Sequence, residues 1–116
     1  MAISIKQHWH NVAELGCIVS GAPSPTLHHV HGGSVTQELG FDWQPGMAQK
    51  QNHFLVIPLA ARLHTGNEGI DSGMGVQSWE LLYGTQMDHL RAVSEALGYD
   101  VLELARATHV VKLLHH

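Results

Sequence analysis

Histidine is the residue whose type and spacing could do chemistry in this chain. Eleven of its 116 residues are His. Imidazole is the commonest side-chain metal ligand, and its ordinary pKa lies near neutrality. Two stretches concentrate the candidates: Thr26-Leu27-His28-His29-Val30-His31, and the segment from Asn52-His53 through Phe54-Leu55-Val56-Ile57-Pro58-Leu59 to Leu63-His64. The first has the period of a short strand, with Leu27 and His29 on one face and His28 and Val30 on the other. Adjacent strand residues cannot share one ion, because their side chains point apart. They can divide the labour. One His binds a divalent metal while the other faces a water as general base. A catalytic ion needs two or three protein donors at about 2.0–2.2 Å and open positions besides, and His64 could supply another donor. The plain alternative is an exposed strand pair, with His64 at a helix C-terminus where the dipole favours it. Spacing alone leaves both readings open.

The elements that must position these residues can be read from period and punctuation. Ile5, His8, Trp9, Val12 and Leu15 form one apolar stripe, which predicts a helix over 4–15 with Ser4 as N-cap and Gly16 just past its end. On that stripe Trp9 reads as core rather than as a stacking platform. Cys17 to Gly21 is a short strand or knuckle before the Pro-rich turn at 22–25. Residues 34–51 show no period and read as a long functional loop governing substrate choice. Phe54 to Ile57 is an apolar, largely β-branched run, hence a buried strand. Pro58 fits the first turn of a short helix that ends at His64. Glycines at 66, 69, 73 and 75 let the backbone run close to a ligand or to that helix end. Val76–Tyr83 reads as a helix with Trp79 and either Leu82 or Tyr83 on one face. Thr85 caps another, 87–97, with Leu90, Val93 and Leu97 inward and Asp88 completing an approximate capping box. The final stretch, 99–107, is a further helix that Val110–Leu114 extend or follow as an apolar arm. Its apolar surface implies either a homodimer contact or packing back on the first helix.

Composition bounds the function. At 116 residues and a formal net charge of -4, with only six Lys and Arg, the chain lacks the basic footprint of a protein that binds long duplex DNA tightly by charge alone. Cys17 is its single Cys, so an intrachain disulfide and a multi-Cys zinc site are excluded. No apolar run approaches a bilayer span, and Met1–Lys6 carries no secretory apolar region. The expectation is one domain over 1–116, without a membrane association, in the cytoplasm of a bacterial host cell.

The combination Cys17-x-x-Ser20, Leu27-His28-His29-Val30, Phe54-Leu55-Val56-Ile57-Pro58-Leu59, Leu63-His64-x-Gly66-x-x-Gly69-Ile70 and Trp79-Glu80-x-x-Tyr83-Gly84 resembles the phage-borne HNH nucleases of the recombination-enhancement (Ref-like) group, over about residues 15–100. The resemblance implies an α+β fold: a small ββα-metal (HNH) core with a short antiparallel β element, an N-terminal helix before it and C-terminal helices after it, the last forming an extension over about 100–116. In that group a His-His-hydrophobic strand and a Pro-Leu-Cys-x-x-His-His-x-Gly helix build the nuclease site. By that resemblance His28 is a metal ligand, His29 the general base, and His64 the helix ligand. The middle position of the motif falls at Asn52 or His53. Asp71 stands where relatives often carry another His, as a ligand or as an acceptor behind one. Relatives commonly hold a structural zinc with Cys-x-x-Cys and Cys-x-x-His. Here Ser20, Ala60 and Leu63 replace three of those positions, so no structural zinc is expected, and Ile18, Val19, Leu59 and the C-terminal helices must pack in its place.

The implied activity is metal-dependent DNA endonuclease chemistry, with Mg²⁺, Mn²⁺ or Zn²⁺ as cofactor, Lys50 or Arg62 on the phosphate, and a recombination protein as a further partner. An HNH-derived binding protein that modulates a protein or nucleic-acid partner is the other reading, favoured by the acidic balance and the absent zinc cysteines. A His-rich protein that only holds metal would not need this ordered spacing.

Overall fold

The computed structural model describes residues 3–40, 43 and 52–114, with side chains as far as residue 108. Over these described residues it is an α+β fold of six helices and one two-stranded antiparallel sheet. The order is α1 (Ile5–Glu14), β1 (Thr26–His29), α2 (Gly33–Leu39), β2 (Val56–Leu59), α3 (Ala61–His64), α4 (Val76–Tyr83), α5 (Gln86–Leu97) and α6 (Val101–Leu114).

The helices begin and end where local chemistry directs. Ser4 Oγ accepts the Gln7 N–H at the start of α1, and Thr85 Oγ1 accepts the Asp88 N–H at the start of α5. Each satisfies one orphan donor of a first turn. Gly98 ends α5 in the left-handed region, at φ 81°, a conformation open to glycine. The stripe of α1 buries His8 and Val12, and that of α5 buries Met87, Leu90 and Val93. These meet Val56, Ile57 and Leu59 of β2, Leu63 of α3, Trp79 of α4, and Val101 and Ala105 of α6 in one core. His8 is fully buried yet satisfied: Nε2 donates to Phe54 O at 3.0 Å and Nδ1 accepts from the Tyr99 hydroxyl at 2.7 Å. Burial lowers its pKa, so the ring is held neutral.

The register pairs Thr26 with Leu59, Leu27 with Pro58, His28 with Ile57 and His29 with Val56. It turns His28 and Val30 into the core and leaves Leu27 and His29 half-buried, the alternation expected for this strand. Pro58 is a correction. It lies inside β2 rather than in a helical turn. Val30 N–H donates to Leu55 O, so hydrogen-bonded pairs alternate from there and Pro58 falls on a pair that bonds outward. Its missing N–H costs β1 nothing, and its carbonyl accepts from Ile18 N–H at 2.9 Å. Phe54 and Leu55 are buried as their composition requires, but they precede the strand.

The long loop expected over 34–51 is a second correction: its first part is α2. That helix has no side-chain cap of its own. Glu80, from α4, accepts from Ser34 N–H at 3.0 Å and from Ser34 Oγ. Any Cβ at Gly33 would collide with the Glu80 carboxylate. Residues 41–42 and 44–51, Lys50 among them, lie outside the described residues. At the other end, 101–114 is one helix, whose first turns bury Val101 and Ala105. The side chains of Val110, Val111, Leu113 and Leu114 lie outside the described residues.

Candidate metal centre

β1 and α3 bring three of the sequence candidates together. His28 comes from the buried face of β1, His64 from the last turn of α3, and Asp71 from the loop that follows. His28 Nδ1 lies 3.2 Å and His64 Nε2 lies 3.0 Å from Asp71 Oδ2. One ligating atom from each residue falls within 4.8 Å of the others, so the three could hold a metal ion.

The loop holds Asp71 by folding back on α3. Ile70 N–H donates to Leu63 O and Asp71 N–H to His64 O, both at 3.0 Å. Gly69 makes that approach possible, because a Cβ there would sit 2.5 Å from His64 O. Trp79 ties the same helix end from the other side, its Nε1–H donating to Leu63 O at 3.0 Å.

Each of the three donors also has a partner behind it. Thr26 donates its hydroxyl to Leu59 O at 3.0 Å. Its oxygen therefore accepts from His64 Nδ1–H at 2.7 Å, and the Nε2 lone pair of His64 faces Asp71. His28 Nε2 lies 2.8 Å from Gln86 Oε1, and both side chains are fully buried. His31 Nε2 lies 2.7 Å from Asp71 Oδ1, so the carboxylate presents its other oxygen to His28 and His64.

The electrostatics follow this arrangement. Burial alone would raise Asp71, but its close contacts with His28 and His31 outweigh it. The carboxyl is held well below the usual carboxylate range. For His64, burial and then the neighbouring His28 lower the pKa, against the pull of Asp71. The metal-competent neutral ring is thereby favoured.

His29 points to the other face of β1. Its Nε2 lies 3.1 Å from His53 Nδ1, and Trp9 meets both rings edge-on at 5.9 and 5.7 Å between centroids. Trp9 Nε1–H donates to His53 O at 2.7 Å. Trp9 is thus half in the core and half a wall for these two imidazoles. Burial first, then His53, His28 and His64, lower the pKa of His29, with Asp71 opposing. His29, His31, His64 and Asp71 open onto one cleft of about 520 Å³, walled by Leu27, Ile70 and Val76.

The structure separates Asn52 from His53. His53 reaches His29. Asn52 is buried, donating to Ala105 O at 3.1 Å and accepting from Phe54 N–H at 2.9 Å, so it braces the chain against α6. Arg62 is away from the cleft lining and ion-paired to Glu68 at 2.7 Å. Lys50 lies outside the described residues. Four residues around the centre were missed from sequence: Thr26, His31, Glu80 and Gln86. His31 carried a signal, as the third imidazole of His28-His29-Val30-His31. Gln86 carried none, since its contacts lie 55 and 58 residues away.

Comparison with protein-family models, with curated proteins and with solved structures finds no match to this chain.

Proposed function

We propose that this chain is a metal-dependent phosphodiesterase of the HNH type acting on DNA, with His28, His64 and Asp71 as the metal donors and His29 as the general base. The observation that carries it is the convergence of two imidazole nitrogens and one carboxylate oxygen, two of whose residues, His64 and Asp71, line the cleft that His29 also lines. The residues fit a catalytic ion: two neutral-capable nitrogens and one oxygen, with room left for water and substrate. The antiparallel pairing of β1 with β2, and α3 directly after β2, support the same reading, although α2 lies between the strands in sequence.

A divalent ion held there supplies Lewis-acid stabilisation of the charge on a scissile phosphate and its leaving oxygen. The chain supplies the rest. His29, with its lowered pKa, is a neutral imidazole at physiological pH and can take the proton of an attacking water. His53 steadies the His29 ring by a contact at Nε2; with Nε2–H as the donor of that pair, Nδ1 is the nitrogen that can take the proton. Leu27, Ile70 and Val76 give the cleft an apolar wall. A phage or prophage setting and a role in DNA recombination or processing belong to this proposal through the sequence resemblance.

The test is cleavage of plasmid and single-stranded DNA with Mg²⁺, Mn²⁺ or Zn²⁺, beside a His29→Ala variant whose metal affinity is measured in parallel. We expect metal-dependent cutting that disappears in the variant while metal binding persists. A folded, metal-loaded protein that cuts neither substrate would defeat the nuclease reading. Leu81 and Leu82, exposed at 89% and 63% on α4, favour the second reading in that event: an HNH-derived protein that docks on a partner through an apolar patch.

A further inference from the structure

The centre takes its orientation from a residue outside the cleft. Gln86, the first residue of α5, is fully buried and uses its whole amide. Oε1 accepts the His31 N–H at 3.0 Å, and Nε2 donates to His31 O at 2.8 Å. Nε2 also lies 3.4 Å from Glu80 Oε2, which accepts the Gln86 N–H at 2.8 Å. An amide has one donor end and one acceptor end. The backbone of His31 needs both, and in this order only. A flipped amide would set Nε2 against an N–H and Oε1 against a carbonyl and a carboxylate. The placement of Oε1 is therefore dictated by the His31 backbone, just past β1, and by Glu80 of α4.

The nitrogen of His28 that faces Oε1 is Nε2, at 2.8 Å. An acceptor there requires Nε2 to carry the proton. When the ring is neutral it has one N–H, and the lone pair of His28 is then on Nδ1, aimed at Asp71 Oδ2. Thr26 imposes the opposite choice on His64. Two imidazole lone pairs facing one carboxylate oxygen repel it unless a cation lies among them.

We infer that Gln86 is a positioning residue for the metal centre: by clamping the His31 backbone it fixes His28 as an Nδ1 donor, opposite the Nε2 donor of His64. One amide thereby controls two neighbours of Asp71, the ring of His28 directly and His31 through its backbone. The inference rests on the metal-centre part of the proposed function and not on hydrolysis.

Long-range ¹H–¹⁵N correlation of the imidazoles of the full chain reads this directly. One spectrum is taken metal-free at about pH 9, above the ordinary imidazole range, and one loaded with Zn²⁺. We expect His28 as the Nε2–H form in both and His64 as the Nδ1–H form in both. A His28 protonated on Nδ1 in the metal-free protein overturns the inference, whatever the protein does to DNA. If Zn²⁺ does not bind, the metal reading fails, while the metal-free spectrum still decides the role of Gln86. Gln86→Met then separates positioning from packing. In a folded variant His28 should become a mixture of tautomers, and Zn²⁺ affinity should fall by about 10-fold or more, the scale of losing a partner behind a ligand. Thr26→Val should disturb His64 and leave His28 unchanged. A Gln86→Met protein with the parental His28 signals and affinity also overturns the inference. Should that variant fail to fold, the two wild-type spectra carry the decision.

Discussion

Gly69→Ala tests the way the loop presents Asp71, because at this position a single methyl group meets only polar backbone and hydroxyl atoms. Its Cβ would lie 2.5 Å from His64 O, 2.7 Å from Ser72 Oγ and 2.8 Å from Gly66 O. The shortest of these falls roughly 0.9 Å inside a comfortable contact of about 3.4 Å. Ser72 can rotate, but the two carbonyls belong to the chain itself. Relief therefore requires the loop to move from α3 by most of that distance. The Asp71 N–H to His64 O bond, now 3.0 Å, would then stretch beyond hydrogen-bonding range. Overpacking costs about 1–3 kcal/mol and the lost bond about 1 kcal/mol. The expected loss of stability is thus about 2–4 kcal/mol, inside the reserve of an ordinary domain. Urea denaturation in the presence of a chelator, followed by tryptophan fluorescence, measures it without a contribution from bound metal. A Zn²⁺ titration of the same variant should show at least about a 10-fold weaker site, since its carboxylate is displaced. Gly21→Ala is the control: among the described residues nothing beyond its chain neighbours lies within 4 Å of its Cβ, but φ is +77°, so it should cost about 1–2 kcal/mol in backbone strain and leave Zn²⁺ affinity unchanged. A Gly69→Ala loss below about 0.5 kcal/mol, the range of a neutral surface change, together with unaltered metal affinity, would refute the reasoning.

Asn52→Ala should destabilise by about 2–4 kcal/mol, because it leaves Ala105 O and Phe54 N–H buried without their partner; metal affinity should not change, which separates its bracing role from the cleft. Arg62→Ala should shift stability by less than about 0.5 kcal/mol, its pair with Glu68 being exposed on both sides. Stability should fall as pH is lowered through the ordinary imidazole range, about 6.5. The folded-state pKa of His8 is depressed, so the unfolded chain takes up the proton first and is favoured in acid. His29 and His64 act in the same direction. Denaturation curves at about pH 7.5 and 5.5 should show the loss, and His8→Gln, which can keep both hydrogen bonds, should flatten it. A pH-independent midpoint would count against the buried neutral His8.

What could be read from the sequence was local. The alternation through Leu27-His28-His29-Val30 sorts the two His by face because strand geometry has a period of two residues. Thr85 announces α5 because a cap is a bond across three residues. Pro58 misled because a local rule, proline at a helix start, competes with a tertiary one. Only the pairing register shows that its missing N–H points away from β1. The start of α2 was invisible for a related reason. Its cap is Glu80, 46 residues from Ser34, and the helix is too short to display a period. At the centre, the donors His28, His64 and Asp71 were legible as residue types. Their partners were not: His31 stood out only as a third imidazole, and Thr26 and Gln86 are ordinary residues until the fold places their hydrogen bonds. Asn52 and His53 were inseparable in sequence, being adjacent, yet one faces α6 and the other His29.

The pairing of Pro58 with the knuckle at Ile18 has a consequence for how the molecule meets its own copies. A two-stranded sheet ordinarily leaves an edge that can recruit a further strand from another chain, the first step toward sheet-based aggregation. On the outer side of β2, Pro58 has no N–H to offer, and its carbonyl is already engaged by Ile18. A foreign strand arriving there would find neither half of the ladder it needs. The β2 edge of this small sheet can therefore stay fully apolar, Val56-Ile57-Pro58-Leu59, without becoming a template for polymerisation.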